Sequence, residues 1–426
     1  MRVQDTIAGM ERAGGGRDPE DGELAASHIR VPLGLAGLRI VAQTPRGDAT
    51  LEVTVMGTNG QARCPHCGGV SRQVHDVRRR RKRDVGLGAN AVVLVLCKRR
   101  FSCRPCGRAF TEPDIVCGWR RRTTARLREQ IGEQACTRPL AGVAAEHDVG
   151  PRFVQTCWEQ TVAARLHERG RSVAATGPLP TPRFLGIDEF ARRKGRRYDT
   201  ILCDLEQRRV LEVSVGRTQA EVVPLLERLD DPEHVEAVSM DMSTTFREAV
   251  RLCLPQAAVV ADHFHVVQHV GKALAKVFTR CAATREGRAP LKGQRALFLR
   301  PRERLTAEQE HTRATRAAAF PDLAAAWQAK EDLRTWYAQA TAQTAAGGLD
   351  TWVATVVEQG PAELRQALSA FRTWRDEILA FFRFLPTRLT NGFVEGKNNR
   401  TKALMRAAYG YRNHQHLRWR ILLEVA

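Results

Sequence analysis

The sequence predicts a multidomain α+β protein, and three observations predict it. Two Cys-x-x-C turns sit in a strand-rich front end, helical periodicity follows to about residue 171, and a small, proline-rich stretch then gives way to alternating strands and helices. At 426 residues the chain is long enough for several domains with real cores. Lys plus Arg number 67 against 47 Asp plus Glu, a formal charge of +20 with a pI near 10.2. A polyanion is therefore the expected partner.

The opening MRVQDTIAGMERAGGGRDPEDGE lacks the apolar stretch of a secretory signal, and its glycine and charge content predicts a disordered leader over residues 1–32. No apolar run approaches the ~18 residues of a membrane span, so no membrane partner is expected. The 11 cysteines include four in paired units. That usage fits a reducing cytoplasm and metal ligation better than a disulfide framework.

Residues 33–118 read as a β-hairpin plus a zinc-ribbon module. LGLAGLRIVAQTPRGDATLEVTVMG alternates apolar and polar residues around a PRGD turn. Cys64-Pro-His-Cys67 follows and, after a second strand-like pair, Cys103-Arg-Pro-Cys106. Each turn can present two thiolates to one structural Zn²⁺. The gap between the turns exceeds the usual ribbon spacing, and strands such as that around Val92–Leu96 must close it. His66, His75 and Cys97 are substitute ligands at less favourable spacing. Arg78–Arg83 form the run RRRRKR and Arg120–Arg122 a second basic run. Beside the cysteines they point to nucleic acid, with Arg78, Arg79 and Arg80 the expected phosphate contacts.

Residues 119–171 fit a helix-turn-helix centred on PLAGVAAEHDVGPRFVQTCWEQ. Val143 and Ala144 belong to the first helix, Val149 to the turn, and Phe153, Val154 and Trp158 hold the second helix against the first. Arg152, Gln155 and Gln160 are left toward DNA. The turn residue is Asp148, which tolerates the left-handed conformation less readily than glycine. SVAATGPLPTP, residues 172–182, reads as a linker.

Residues 183–270 give three consecutive strand-like runs, a helix, a fourth strand (VEAVSMDMS), another helix and a fifth strand (AAVVADHFHVVQ). One mixed sheet flanked by helices is expected. Asp188 ends the first apolar run, and Asp241 the fourth. Asp262 competes with Asp241 as second acid. Strand alternation puts His263 and His265 on one face with Asp262 on the other, and turns Glu189 away from Asp188. Residues 271–386 are almost wholly helical, carrying Trp327, Trp336, Trp352 and Trp374. In residues 387–426 Thr390 or Asn391 can cap a helix. Along it Glu395, Asn399, Lys402 and Arg406 recur on one face. Two strand-end aspartates and a helical glutamate can hold two divalent cations, Mg²⁺ or Mn²⁺, for phosphoryl transfer.

From about Leu33 onward the chain resembles the DDE transposases of bacterial insertion sequences, in the ISL-three family. GLAGLRI, CPHCG with VHDVRRRRKRD, and KRRFSCRPCGRAFTE resemble that family's zinc-binding front end. GIDEFARRKGRRYDTILCDLE, ADHFHVVQHV and TNGFVEGKNNRTKALMRAAYGYRN resemble its catalytic domain. The resemblance implies a ribonuclease H-like catalytic fold interrupted by a helical insertion before the glutamate helix. It implies strand cleavage and strand transfer by Asp188, Asp241 and Glu395, with Lys397, Lys402 and Arg406 steadying phosphates. It also implies binding of double-stranded terminal inverted repeats and target DNA, a homodimer or larger assembly on paired ends, and a cytoplasmic, nucleoid-associated protein of bacteria. The alternative is a catalytically inactive DNA-binding regulator derived from such an enzyme.

Overall fold

The structure, a computed structural model, describes residues 33–423 apart from 48, 119–120, 171–172, 194, 409 and 412. The expected leader lies outside the described residues, as does Arg120. The chain divides into two compact units, Met1–Ala164 and Arg165–Ala426, the division falling inside a helix rather than at the proline-rich stretch.

In the first unit β1 (Leu38–Arg46) and β2 (Thr50–Gly57) form the hairpin that the alternation predicts. A two-residue ladder of β3 (Ala62–Arg63) and β4 (Val70–Ser71) carries the first cysteine turn. The long β5 (Val74–Leu87) and β6 (Asn90–Ser102) then pair antiparallel, and β7 (Ala109–Thr111) adds to β6 beyond the second turn. The sheet runs β1-β2-β6-β5, with β2 and β6 parallel. Val53, Val55, Val92, Leu94 and Leu96 form its core.

The run RRRRKR is part of β5, an edge strand, rather than a tail. Alternation with period two turns Lys82 and Asp84 inward, where Lys82 pairs with Asp114 at 3.2 Å and Asp84 pairs with Arg126. Arg78–Arg81 stay exposed. Three helices follow: α1 (Ala125–Thr137), capped by Thr124, α2 (Leu140–Glu146) and α3 (Pro151–Glu168). Ile131, Val143, Val154 and Trp158 are buried among them. Asp148, between α2 and α3, takes the left-handed conformation at φ +46°. Arg83 of β5 donates to the carbonyls of His147 and Asp148 at 2.5 and 2.9 Å, fixing that turn.

The second unit is built on β8 (Phe184–Arg193), β9 (Arg197–Asp204) and β10 (Arg209–Val215), a helix α4 (Gln219–Leu226), β11 (Ala237–Met240), α5 (Thr244–Cys253) and β12 (Ala258–Ala261). Strand order is β10-β9-β8-β11-β12, antiparallel across the first three and parallel from β8 to β12. One core packs α4 and α5 on the sheet; the other joins β12 to the helical region.

The fifth strand is shorter than the sequence reading had it. It ends at Ala261, and α6 (His263–Ala283) begins at once, with Asp262 in the N-cap position. Val266, Val270, Ala273, Leu274 and Val277 recur at helical spacing and are all buried, which decides helix over strand. His263 and His265 are therefore first-turn helix residues, and the strand-alternation argument for their faces does not hold.

Helices α7 (Arg295–Leu299), α8 (Ala307–Ala318), α9 (Pro321–Gln339), α10 (Ala345–Gln359), α11 (Ala362–Thr373) and α12 (Arg375–Arg383) make up the helical region. Its four tryptophans are buried, and the indoles of Trp336 and Trp352 donate to the carbonyls of Ala345 and Ala329. The chain then returns to the sheet as α13 (Gly392–Ala407) and α14 (His414–Leu423). Arg418 of α14 grips buried Glu212 of β10 through both oxygens at 2.5 and 2.8 Å, and Arg228 adds a third bond at 2.8 Å.

Candidate active site and cysteine cluster

The parallel register of β8, β11 and β12 decides which acids meet. Val238 sits beside Leu185 and Met240 beside Ala261, so Asp241 and Asp262 follow the ends of adjacent strands, while Asp188 stands inside β8, which continues to Arg193, and not at the strand end the sequence predicts. Ligand sites of α/β sheets favour these carboxyl ends.

The three aspartates are in different electrostatic states. Burial pushes the Asp188 carboxyl up to about 6, with Asp241 adding to it, even though the Glu189 amide and Asn398 side chain donate to its oxygens at 2.8 Å. Burial also raises Asp241; Glu189 and Asp262 add to the rise, while His265 and Lys272 oppose it. One Asp241 oxygen is buried with no hydrogen-bond partner among the described residues. Asp262 goes the other way. Burial works against its charge, but His263 and His265 outweigh it and hold it at about 2. Its oxygens meet His265 Nδ1 at 3.0 Å, His263 Nδ1 at 3.6 Å and the Asn391 amide at 3.3 Å. His265 is raised in return, first by its bond to Asp262 and then by the charges of Asp241 and Asp188.

Helix α13 is docked on β8 through its amide side chains. Asn391 does not cap the helix: its side chain is buried and donates to the Ile187 carbonyl at 2.9 Å. Asn398, two turns on, donates to Asp188. Gly186 permits the approach, since a Cβ there would stand 2.7 Å from a Val394 methyl. At ~100° per residue, Glu395, Lys402 and Arg406 follow one flank of the buried stripe Asn391, Val394, Asn398 and Thr401. Asn399 lies farther round and is exposed. The sequence reading missed Asn398 and Asn391 as anchors; the signal was their spacing of seven, which an amide-bearing helix would need to meet one strand twice. Glu189 pairs with Arg217 at 2.6 Å, though its charge still bears on Asp241. Lys397 lies against the Phe393 ring, and the Arg406 side chain reaches the Lys402 carbonyl.

In the first unit, Cys64, Cys67, Cys103 and Cys106 bring four sulfurs within 4.8 Å of one another, the one such group among the described residues. Cys64 and Cys106 are 3.8 Å apart and Cys67 and Cys103 3.4 Å. Bonds of ~2.3 Å around a tetrahedral zinc place thiolates about 3.8 Å apart, so the quartet fits that ion. Burial raises the Cys64 thiol, but amide donation from His66 and Cys67 outweighs it and brings it down to about 7. At Cys103 the Cys106 amide favours the thiolate, yet burial and the neighbouring thiols push it up to about 12. Thiolates this close need a cation. Cys97 is buried in β6 and His75 pairs with Asp76 at 3.0 Å; neither belongs to the quartet. His66 instead faces Arg108.

The expected DNA contacts differ in availability. Arg152 is exposed at the start of α3, but Gln155 is half-buried and its amide donates to Glu159 at 2.7 Å. Arg78 leans on Asp76 at 3.6 Å and Arg81 on Glu52 at 2.6 Å, while Arg80 is exposed.

A family profile for transposases of the ISL3 type matches residues 185–421, more than half of the chain. A second, described as the zinc-finger of transposase IS204/IS1001/IS1096/IS1165, matches residues 60–106 and includes all four clustered cysteines. The transposase for insertion sequence element IS1001 of Bordetella parapertussis is 29% identical over 375 residues, covering 86% of this chain and 89% of the relative. The transposase for insertion sequence element IS1557 of Mycobacterium tuberculosis is 26% identical over 262 residues, 55% of this chain and 58% of the relative.

Proposed function

The chain belongs to the ISL3 family of transposases, and from that premise we propose that it is a DDE transposase of a bacterial insertion sequence. It binds the terminal inverted repeats, cleaves strands there and transfers the freed 3′ ends to target DNA, as a dimer or larger assembly on paired ends. The sheet order of the second unit supports reading it as a ribonuclease H-like domain, with α7–α12 as its insertion.

One observation carries the reading: two aspartates of adjacent strands, Asp188 within β8 and Asp241 just past the end of β11, both raised by burial, with an Asp241 oxygen that has no partner among the described residues. A buried carboxylate pair left this way fits a cation. Asp188, Asp241 and Glu395 would hold the divalent ions. When bound, those ions would supply an activated water or 3′-hydroxyl and stabilisation of the leaving oxygen. The protein's own groups do the rest. Asn398 orients Asp188, and Glu395 comes from the helix that Asn398 and Asn391 pin in place. Asp262 is engaged by two histidines and a backbone amide, which favours Asp241 as second acid and makes Asp262 the anchor of His265. Lys397, Lys402 and Arg406 steady phosphates as charge develops. The cysteine module, with its zinc, and the α2–α3 pair, as a helix-turn-helix, would select the element end.

Cleavage of the element's own ends in Mg²⁺ or Mn²⁺ tests this. Asp188→Asn, Asp241→Asn and Glu395→Gln should each lower cleavage by on the order of 10³-fold or more while end binding stays near that of the unaltered protein. Asp262→Asn should retain more activity than Asp241→Asn. End binding without cleavage by the unaltered protein would leave the regulator reading instead.

A further inference from the structure

Next to the carboxylates, among α6, α7, α9 and α12, lies a cavity of about 690 Å³ that the proposed chemistry does not use. Its volume is in the range of small-molecule sites. The lining is both aromatic and cationic. Its rings are those of Phe264, 45% exposed, Tyr337, Phe381 and His263. The His263 ring lies 5.6 Å from that of Tyr337 and 5.3 Å from that of Phe381. The cations of the lining differ in how they are paired. Lys330 and Arg334 are answered by Glu331 and Glu303, but Lys272, Arg295, Arg304 and Arg388 form no ion pair among the described residues.

Two aromatic residues set the character of the lining. Tyr337 contributes its ring to the lining while only 6% exposed, and its buried hydroxyl lies within reach of the Asp262 charge rather than open to the cavity. Phe264 presents an aromatic face to solvent on the first turn of α6, where its neighbours Val266 and Val270 are buried. The cavity lies near the acids without including them in its lining: His263 and Phe264 follow Asp262 in the chain, and the Lys272 charge acts on Asp241.

Rings beside unanswered cations suit a nucleotide, whose base stacks and whose phosphate is anionic. A base inside a duplex has both faces covered by its neighbours, so only an unpaired nucleotide can enter. We infer that this cavity receives one unpaired nucleotide of the DNA strand at the cleavage point, its base against Phe264 and its phosphate met by the cations that form no ion pair. The inference rests on the transposase reading above. It adds that the strand is locally unpaired when it reaches Asp188 and Asp241.

The test uses the full chain carrying Asp188→Asn and short duplexes of the element's own end. In each, one position across the cleavage region is mismatched or abasic, and a scrambled duplex serves as control. A mismatch lowers the cost of extruding a base. At one position it should tighten binding on the order of tenfold, and Phe264→Ala should remove that gain. Phe264→Trp should keep it. On the abasic duplex at the same position Phe264→Ala should have no effect. Phe264 is exposed, so its loss opens no core, and an unchanged melting temperature checks this. Failure to prefer the element end over scrambled DNA sinks the transposase reading and this inference together. Preference for the end, with no position at which Phe264 matters, sinks only the inference. Free deoxyadenosine monophosphate binding below about 1 mM with no positional effect in duplexes would assign the cavity to a soluble nucleotide and overturn the strand form.

Discussion

In the first unit four sulfurs stand within 4.8 Å of one another, delivered in pairs by two local turns; in the second, three aspartates arrive from separate strands and leave one buried oxygen without a partner among the described residues. Both clusters crowd like charges, and both raise a member well above its ordinary value. The cysteines form a closed tetrahedral set, suited to an ion that holds a fold together. The carboxylates form an open one, suited to ions that must also meet a substrate. On the proposed function, closure separates structural from reactive chemistry, and each contrast can be tested by removing a member.

The largest effect should come from the closed set. Cys103→Ser leaves three thiolates around a site whose occupied form contributes to folding, and structural zinc in small modules is worth about 10 kcal/mol or more. Elemental analysis of the unaltered chain should give about one zinc per chain, and the variant should lose it together with the cooperative melting of the first unit. Full retention of zinc by Cys103→Ser would break the comparison at its first term.

Glu212 sharpens the contrast within the second unit. It is buried on the same sheet as Asp188, but burial is outweighed by Arg418 and Arg228, and its carboxyl is lowered rather than raised. A depressed carboxyl contributes stability that is present above its ordinary value of 4.5 and lost as pH falls through the folded value. Arg418→Ala should therefore destabilise the unit by roughly 3 kcal/mol at pH 7.5, the lower end for a broken buried pair because Arg228 remains. A change below about 1 kcal/mol in denaturant melts would show that the bidentate contact carries little.

Asp188 should respond with the opposite sign. Its carboxyl is raised from 3.8 to about 6, so the ionised form costs the folded state nothing below pH 3.8 and most above pH 6. Without divalent cations, Asp188→Asn should stabilise the protein at pH 7.5 by on the order of 2–3 kcal/mol, with the gain disappearing by pH 4. Mg²⁺ should raise the melting temperature of the unaltered protein at pH 7.5 more than that of Asp188→Asn. Equal Mg²⁺ effects in both would separate Asp188 from the ion site.

How much of this was legible follows from the distances along the chain over which each site is assembled. The Cys-x-x-C turns and the order of strands β8–β12 are local patterns, and the sequence carried them. What it obscured was the junction at Asp262, where an apolar run continues through the end of a strand into the first turn of a helix. Val259, Val260 and Val266 look alike to a period-two reading, and only the longer spacing to Val270 and Leu274 separates them. The role of Asp262 was hidden for the same reason, since its histidine partners reach it through helical geometry. Asn398 was invisible because its partner lies 210 positions away.

The smallest expected effect concerns the basic strand, where the sequence suggested a uniform block and the structure divides it. Lys82 and Arg83 are turned to Asp114 and to the α2–α3 turn, Arg78 and Arg81 lean on acids, and Arg80 remains exposed on an edge strand. If this strand meets the DNA backbone, replacing Arg79 and Arg80 by Ala should flatten the log–log salt dependence of binding by roughly one or two units, at about 0.9 per phosphate. It should weaken the element end and random duplex alike, because phosphate contacts carry no sequence code. Arg152→Ala, at the exposed start of α3, should instead reduce the preference for the element end. Gln155→Ala should do less, since its amide is already held by Glu159. An equal loss on both duplexes from Arg152→Ala would move the search for the sequence reader from α3 to the cysteine module.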